Sequence, residues 1–252
     1  MATGNAKVVL VTGASRGIGA ATAILAGQQG WTVVVNYVAN AVAADAVVRH
    51  IMAAGGKAIA VQADVAVQAD ITRLFATVDE KLGRLDALVN NAGVVDMPAR
   101  VDGMSVERLE RMWTTNITSS FCCAGEAVKR MSTKYGGKGG AIVNLSSAAA
   151  RIGSPGQYVD YAASKAAIDT FTMGLAKEVA AEGIRVNAVR PGVIDTEIHA
   201  SGGLPDRVAQ LAAQLPMQRA GTAHEVAEAI VWLMSETSSY TTGSIVDVTG
   251  GR

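Results

Sequence analysis

Seven short runs rich in Val, Ile, Ala and Leu recur along the chain, at residues 7–12, 32–36, 57–62, 87–90, 141–145, 185–190 and 244–249. The first, through Val8, Val9, Leu10 and Val11, is continuously apolar, the pattern of a strand covered on both faces. Longer segments separate the runs and predict helices over residues 18–29, 39–54, 67–82, from 105 towards 135, and 157–182. A last helix follows Thr222, with Val226, Ile230 and Leu233 at helical spacing. Gly30, the Gly55-Gly56 pair, Gly83, residues 136–140 and Gly183 stand where helices stop. Ser105 and Thr222 are suited to cap helix starts. Strand and helix alternate throughout. The expected fold is α/β, a single Rossmann-type doubly wound domain over residues 1–252. Its mostly parallel seven-stranded sheet carries helices on both faces. Residues 191–215 are the least regular, with Gly202-Gly203 and Pro205, and a variable substrate lid is expected around 193–216.

Composition narrows the function classes. The 252 residues suit one large α/β domain, and 50% hydrophobic against 17% charged residues is a globular balance. Twenty-two basic and 22 acidic residues cancel, and no basic stripe points to nucleic acid. Cys122 and Cys123 are adjacent, and His50, His199 and His224 are scattered, so no disulfide framework and no metal site is expected. With no signal peptide and no apolar run of membrane-spanning length, a soluble, cytoplasmic setting is expected.

The turn after the first strand reads Thr12-Gly13-Ala14-Ser15-Arg16-Gly17-Ile18-Gly19. Glycines let the backbone approach a ligand closely, and a helix start presents unpaired N–H groups to phosphate. Between a strand and a helix, this Gly-x3-Gly-x-Gly spacing points to a dinucleotide. Gly13, Ser15, Arg16, Gly17, Ile18 and Gly19 are the expected contacts. An NAD site usually places an acid near the end of the second strand, to bind the ribose 2′-hydroxyl. Here that strand ends Asn36-Tyr37 with no acid before Asp45, and Arg16 offers a cation. NADP(H) is therefore favoured, with NAD(H) possible.

Tyr161 and Lys165 lie four residues apart in the fifth predicted helix, on one face. A cation beside a phenol favours the phenolate and fits the Tyr for proton exchange with a carbonyl or alcohol oxygen. Alone, such a pair describes a solvated helix face. Tyr158 competes for the role but is seven residues from Lys165.

Together these features resemble the classical short-chain dehydrogenase/reductase family, over essentially the whole chain. Thr12 to Gly19 resembles its cofactor turn. Asp64-Val65 is similar to the pair that meets the adenine. Asn90-Asn91-Ala92-Gly93 matches the segment beside the cofactor. Residues 142–147 match the strand that delivers a catalytic Ser, here Ser147. Tyr161 and Lys165 match Tyr-x3-Lys, and Asn116 falls at the family's catalytic Asn. Pro191, Gly192, Val193 and Ile194 resemble the segment lining the nicotinamide, and Thr196 its hydroxyl. The loop between Ser147 and Tyr161 is one residue longer than the commonest spacing, which keeps Ser146 as an alternative. The resemblance is strongest to bacterial members of the 3-oxoacyl-carrier-protein reductase and glucose 1-dehydrogenase type.

The resemblance implies hydride transfer between a nicotinamide and a small carbonyl or secondary alcohol. Tyr161 is the implied acid or base, Lys165 its charged neighbour and ribose ligand, Ser147 the donor to the carbonyl oxygen, and Asn116 the holder of a water. A homotetramer is implied, with the two long helices in contact through small and apolar residues such as Ala124, Ala127, Val128, Ala166, Ala167, Ile168, Phe171 and Leu175. The alternative is a non-catalytic protein on the same fold that senses a dinucleotide or docks a partner; the presence of Tyr161, Lys165, Ser147 and Asn116 together weighs against it. Lys129 and Arg130 are the candidates to meet a carrier protein, and Glu182 argues against one.

Overall fold

Strand β1 (Val8–Val11) sends Val9 and Val11 to one face and Val8 and Leu10 to the other, and all four are buried. That two-sided burial is the period-2 consequence of helices packed on both faces of a sheet. The structure is a computed structural model and describes residues 6–252. After β1 come α1 (Gly17–Gln28), β2 (Thr32–Tyr37), α2 (Ala41–Ala53), β3 (Lys57–Gln62), α3 (Gln68–Leu82) and β4 (Ala87–Asn90). The middle of the chain forms α4 (Val106–Trp113), a π-helical turn (Thr114–Thr118), α5 (Ser119–Met131) and β5 (Gly140–Leu145). Then follow α6 (Ala149–Ile152), α7 (Val159–Val179), β6 (Ile184–Pro191), β7 (Ile194–Asp195), α8 (Ile198–Ser201) and α9 (Arg207–Ala212). The chain closes with β8 (Gly221–Thr222), α10 (Ala223–Met234) and β9 (Ile245–Val248).

Seven strands pair in parallel in the order β3-β2-β1-β4-β5-β6-β9, as the alternating pattern predicts. One core lies between the sheet and α1, α2 and α10, and holds Val9, Val33, Val143 and Ile230. The other lies under α3, α5 and α7, with Leu10, Phe75, Ile142 and Val179. The strand order reverses between β1 and β4. Ligands of open α/β sheets bind at the carboxyl ends of the strands at such a reversal. No helix among the described residues is long and apolar enough to cross a membrane.

Three regions differ from the sequence expectation. The helix expected from 105 towards 135 is interrupted by the π turn. Its first part starts as expected, with the Ser105 hydroxyl accepting from the Arg108 N–H at 3.3 Å. The run Thr114, Thr115, Ile117, Thr118 is β-branched and weak as helix, and Asn116 within it is drawn towards another loop. The irregular stretch 191–215 contains order: β7 pairs with β8, and α8 and α9 lie between them. Small residues expected to make a subunit contact, Ala124, Ala127 and Ile168, face the protein's own core instead. The exposed large apolar side chains of those helices are Val106, Trp113, Phe121, Val159 and Met173, with Phe121 stacked on Phe171 at 3.8 Å.

Candidate active site

The glycine turn and the segment after β4 are clamped together at the strand reversal. Thr12 is buried; its hydroxyl accepts from the Asn91 and Ala92 N–H groups, both at 3.0 Å. The Asn91 amide donates to the carbonyls of Thr12 (2.8 Å) and Gly13 (3.0 Å). This packing explains the glycines. A Cβ on Gly19 would stand 2.4 Å from the Asn91 amide nitrogen, and Gly13 and Gly17 have φ of +61° and +56°, where side chains strain the backbone. No side chain caps α1, and no acid lies in its first turn. Those free N–H groups and the glycine cradle suit a pyrophosphate. Arg16 sits exposed at the N-cap position of α1, with no ion-pair partner among the described residues. Thr196 faces the turn, with its Cβ 3.6 Å from where a Gly17 side chain would begin. Ser15 is half-buried in the turn, and Ile18 packs back onto the core.

Asn36 is a correction. It does not project from the strand end to meet a ribose: it is buried, and its amide donates to the carbonyls of Ala63 (2.9 Å) and Val61 (3.3 Å) while accepting from the Gly13 N–H (3.2 Å). The side chain ties β3 to the glycine turn. A buried amide takes such partners because an unpaired one is costly. Tyr37, on the opposite face of β2, is the half-buried residue that packs beside the cluster containing Ala14 and Ile18. Of the next pair, Val65 is buried in the core, and Asp64 closes its own turn through the Ala66 N–H at 2.9 Å. Pro191 ends β6, and Gly192 passes so close to Thr249 that a Cβ would stand 2.8 Å from its Cα. Val193 and Ile194 are buried, and the Val193 carbonyl accepts from Gly221.

Tyr161, Ser147 and Lys165 meet at the carboxyl end of β5. Ser147 lies beside the Tyr161 hydroxyl and favours its ionised form, while its own hydroxyl accepts from the Ala149 N–H at 3.1 Å. Ser146 is turned away: it is buried and donates to the Lys165 carbonyl at 3.2 Å. Alternation along the strand end thus sends one serine inward and the other to the cleft. Lys165 is buried, and its ammonium donates to the Leu145 carbonyl at 2.7 Å and lies 5.7 Å from the centre of the Tyr161 ring. Burial pulls the Lys165 pKa down to about 8, and Asp169 opposes that fall. For Tyr161 the direction differs from the sequence expectation. Burial holds its hydroxyl above the ordinary value, with Ser147 acting the other way.

Asn116 lies in the π turn, and its amide is satisfied within the protein. It accepts from the Val94 N–H (2.8 Å) and donates to the Val94 carbonyl (2.9 Å) and the Ser164 hydroxyl (3.1 Å). It therefore fixes the loop after β4. A Cβ on Gly93 would stand 3.4 Å from Asn116 Oδ1 and 3.5 Å from Lys165 Nζ, so that glycine threads between them. Ala92 is half-buried and packs against the core beside it.

Tyr158, the competing phenol, donates to the Gly202 carbonyl at 3.0 Å and is buried. It anchors the segment after β7, helped by Arg207, which donates to Gln157 at 2.8 Å. Sequence reasoning missed Thr12, Tyr158, Ser164 and the Asp169–Arg190 pair (2.7 Å) as supports of this site. Helical spacing to Lys165 is the one signal in the sequence that could have marked Asp169.

The comparisons with known proteins follow the geometry. A family profile described as Enoyl-(Acyl carrier protein) reductase matches residues 13–252. The chain is 56% identical over 245 residues to the uncharacterized oxidoreductase YgfF of Escherichia coli, spanning 97% of this chain and 99% of that one. It is 42% identical to a 3-oxoacyl-[acyl-carrier-protein] reductase of Synechocystis, spanning 98% and 96%. Among solved structures, a short-chain type dehydrogenase/reductase from Mycobacterium marinum superposes with a TM-score of 0.91 at 34% identity, spanning 97% and 94%.

One expected outcome follows from the Asn36 contacts. Asn36→Asp replaces two amide donations by a carboxylate facing two carbonyls, at a cost of about 2–4 kcal/mol. Thermal unfolding should show a melting temperature lower by roughly 5–10 °C. An unaltered melting temperature would contradict the assigned contacts.

Proposed function

The chain belongs to the short-chain dehydrogenase/reductase family, and from that membership we propose an NADP(H)-dependent carbonyl reductase in which Tyr161 exchanges the proton. That it is an oxidoreductase of this family, using a nicotinamide cofactor on a small molecule, follows from the membership itself. The observation that carries the rest is the convergence of Ser147, Tyr161 and the buried Lys165 ammonium at the end of β5, with the ammonium 5.7 Å from the centre of the Tyr161 ring. The cofactor supplies the hydride when bound. Gly13, Gly17 and the α1 N-terminus hold its phosphates, Arg16 and Tyr37 meet its adenosine end, and Lys165 and Thr196 meet the nicotinamide half.

A phenol held above its ordinary pKa stays protonated at neutral pH. It is therefore loaded as the acid that protonates a carbonyl oxygen during reduction. Ser147 shares that oxygen and stabilises the charge developing on it. Asn116 holds the Val94 loop against the site through its side chain. The basic pair that a carrier protein would meet is neutralised: Lys129 pairs with Glu126, and Arg130 with Glu126 and Asp79. That supports a small, free carbonyl substrate.

Tyr161→Phe keeps the ring and removes the proton, so turnover should fall ~10²-fold or more while cofactor binding survives. Ser147→Ala should lose a similar factor. Loss on Ser146→Ala with full activity in Ser147→Ala would reverse the serine assignment. The measurement is kcat on a panel of diketones, β-ketoesters, quinones and sugars, with NADPH and NADH.

The cofactor reading rests on the unpaired Arg16. Arg16→Ala should raise the KM for NADPH about ten-fold, the equivalent of one lost charge-assisted contact, and leave that for NADH nearly unchanged. Tyr37→Asp should move the ratio of kcat/KM towards NADH, since a carboxylate there repels a 2′-phosphate. A wild type that prefers NADH overturns this part alone.

Assembly as a homotetramer is the last element. Trp113, Phe121 and Met173 expose apolar area on adjoining helices, and a two-fold contact there would cover it and brace α7. Light scattering should give about four times 25.8 kDa, and a monomeric mass at micromolar concentration would refute it.

A further inference from the structure

Tyr161, Lys165 and Asp169 stand at successive turns of α7 and form one stripe along it. Asp169 is buried, with an exposure of 8%, and receives a hydrogen bond from Arg190 at 2.7 Å. Arg190 lies on β6 immediately after Val189, the register partner of Leu145, whose carbonyl holds the Lys165 ammonium. A second arm of Arg190 reaches Asp247 on β9 at 3.1 Å, and Asp247 in turn binds Arg151 of α6 at 3.0 Å. Four charges of alternating sign thus run from the buried centre of the site to its rim.

The first link is a single contact and not a two-pronged one. Asp169 Oδ1 and Arg190 Nε are buried and make no hydrogen bond. Asp169 therefore keeps acceptor capacity that Arg190 does not use, and its field is only partly neutralised. A carboxylate buried a turn from a buried ammonium favours the charged amine. The charged or titratable groups that reach Lys165 directly are Asp169 and, 5.7 Å away across its ring, Tyr161 on α7; Arg190 on β6 meets Lys165 only through Asp169, and Asp247 on β9 and Arg151 on α6 lie beyond it. Its other neighbours, the Leu145 carbonyl and Asn116, are neutral.

We propose that Asp169 is a positioning residue of this site: fixed in place by Arg190, it keeps the buried Lys165 ammonium charged. Arg190 tempers that effect, so the two residues act on Lys165 with opposite sign. The proposal rests on reading Lys165 as the charge that accompanies Tyr161. A buried lysine near neutrality in its balance of charge is sensitive to any change in this pair, which is where the sign of the response becomes diagnostic. Loosening the pocket by a structural defect would admit water and push the Lys165 titration up, towards that of a free lysine.

The test reads Lys165 directly. The full-length protein is prepared with lysine carrying ¹³C at Cε, and the signal of Lys165, one of eight lysines, is assigned by its loss in Lys165→Met. Its titration midpoint is then followed by NMR. In Asp169→Asn the midpoint should fall by about one pH unit. In Arg190→Met it should rise by a comparable amount, and Asp169→Glu should restore the wild-type value. A midpoint that is unchanged or raised in Asp169→Asn overturns the proposal. Should that variant not fold, Arg190→Met decides alone, because a midpoint unchanged or lowered there contradicts it equally. Rate profiles separate this inference from the one beneath it. A lower midpoint should bring the alkaline loss of reductase activity to lower pH. If the midpoint moves and the profile does not follow, the coupling stands and the role of Lys165 in turnover fails.

Discussion

Removing the ammonium of Lys165 from water is unfavourable, and the surrounding structure limits that cost. Burial, partly opposed by Asp169, draws its pKa down to about 8. The Leu145 carbonyl, at 2.7 Å, replaces part of the lost hydration, and Asp169 supplies an opposing charge. The carbonyl is available because β5 ends there. Helix α7 is pinned to that strand end from both sides, since the Ser146 hydroxyl bonds the Lys165 carbonyl while the Lys165 ammonium bonds Leu145. The chemistry of Tyr161 and the packing of α7 are therefore one arrangement.

Around this centre, buried amides hold loops in register. Asn36 joins β3 to the glycine turn, Asn91 joins that turn to the segment after β4, and Asn116 joins the same segment to the π turn. Farther along the sheet, Asn90 donates to Asn144 and Asn144 to Thr172, crossing from β4 through β5 to α7. A side-chain amide serves well here because it both donates and accepts, as a backbone segment with no sheet neighbour requires. Glycines recur at the same places because the clamped segments run too close for a Cβ, as at Gly19 beside Asn91.

Much of this was legible in the sequence. Strand runs, glycine stops and alternation were local signals, and they led to the observed seven parallel strands and to the glycine turn. Tyr161 and Lys165 were marked by helical spacing, which survives in any α-helix. What was not legible depends on partners distant in sequence. Asn36 read as a strand-end side chain open to a ribose, because nothing local tells that Val61, Ala63 and Gly13 surround it. Tyr161 read as a phenol lowered by its lysine, because spacing gives the face of a helix but not how deeply its hydroxyl is buried. The π turn escaped notice since the helical pattern continues on either side of Asn116. Small residues such as Ala124 and Ala127 suit either a core or a subunit contact, and composition does not separate the two.

The central claim is that this cleft delivers a hydride to a carbonyl carbon while a protein hydroxyl protonates the oxygen. Reduction of an accepted ketone with NADPH deuterated at the transferred position, followed by mass spectrometry and NMR of the alcohol, tests it most directly. One deuterium on the carbinol carbon, with the hydroxyl proton drawn from solvent, is the result expected. Oxidation of NADPH without deuterium in the product, or no turnover with any carbonyl of the panel and either cofactor, would contradict the account.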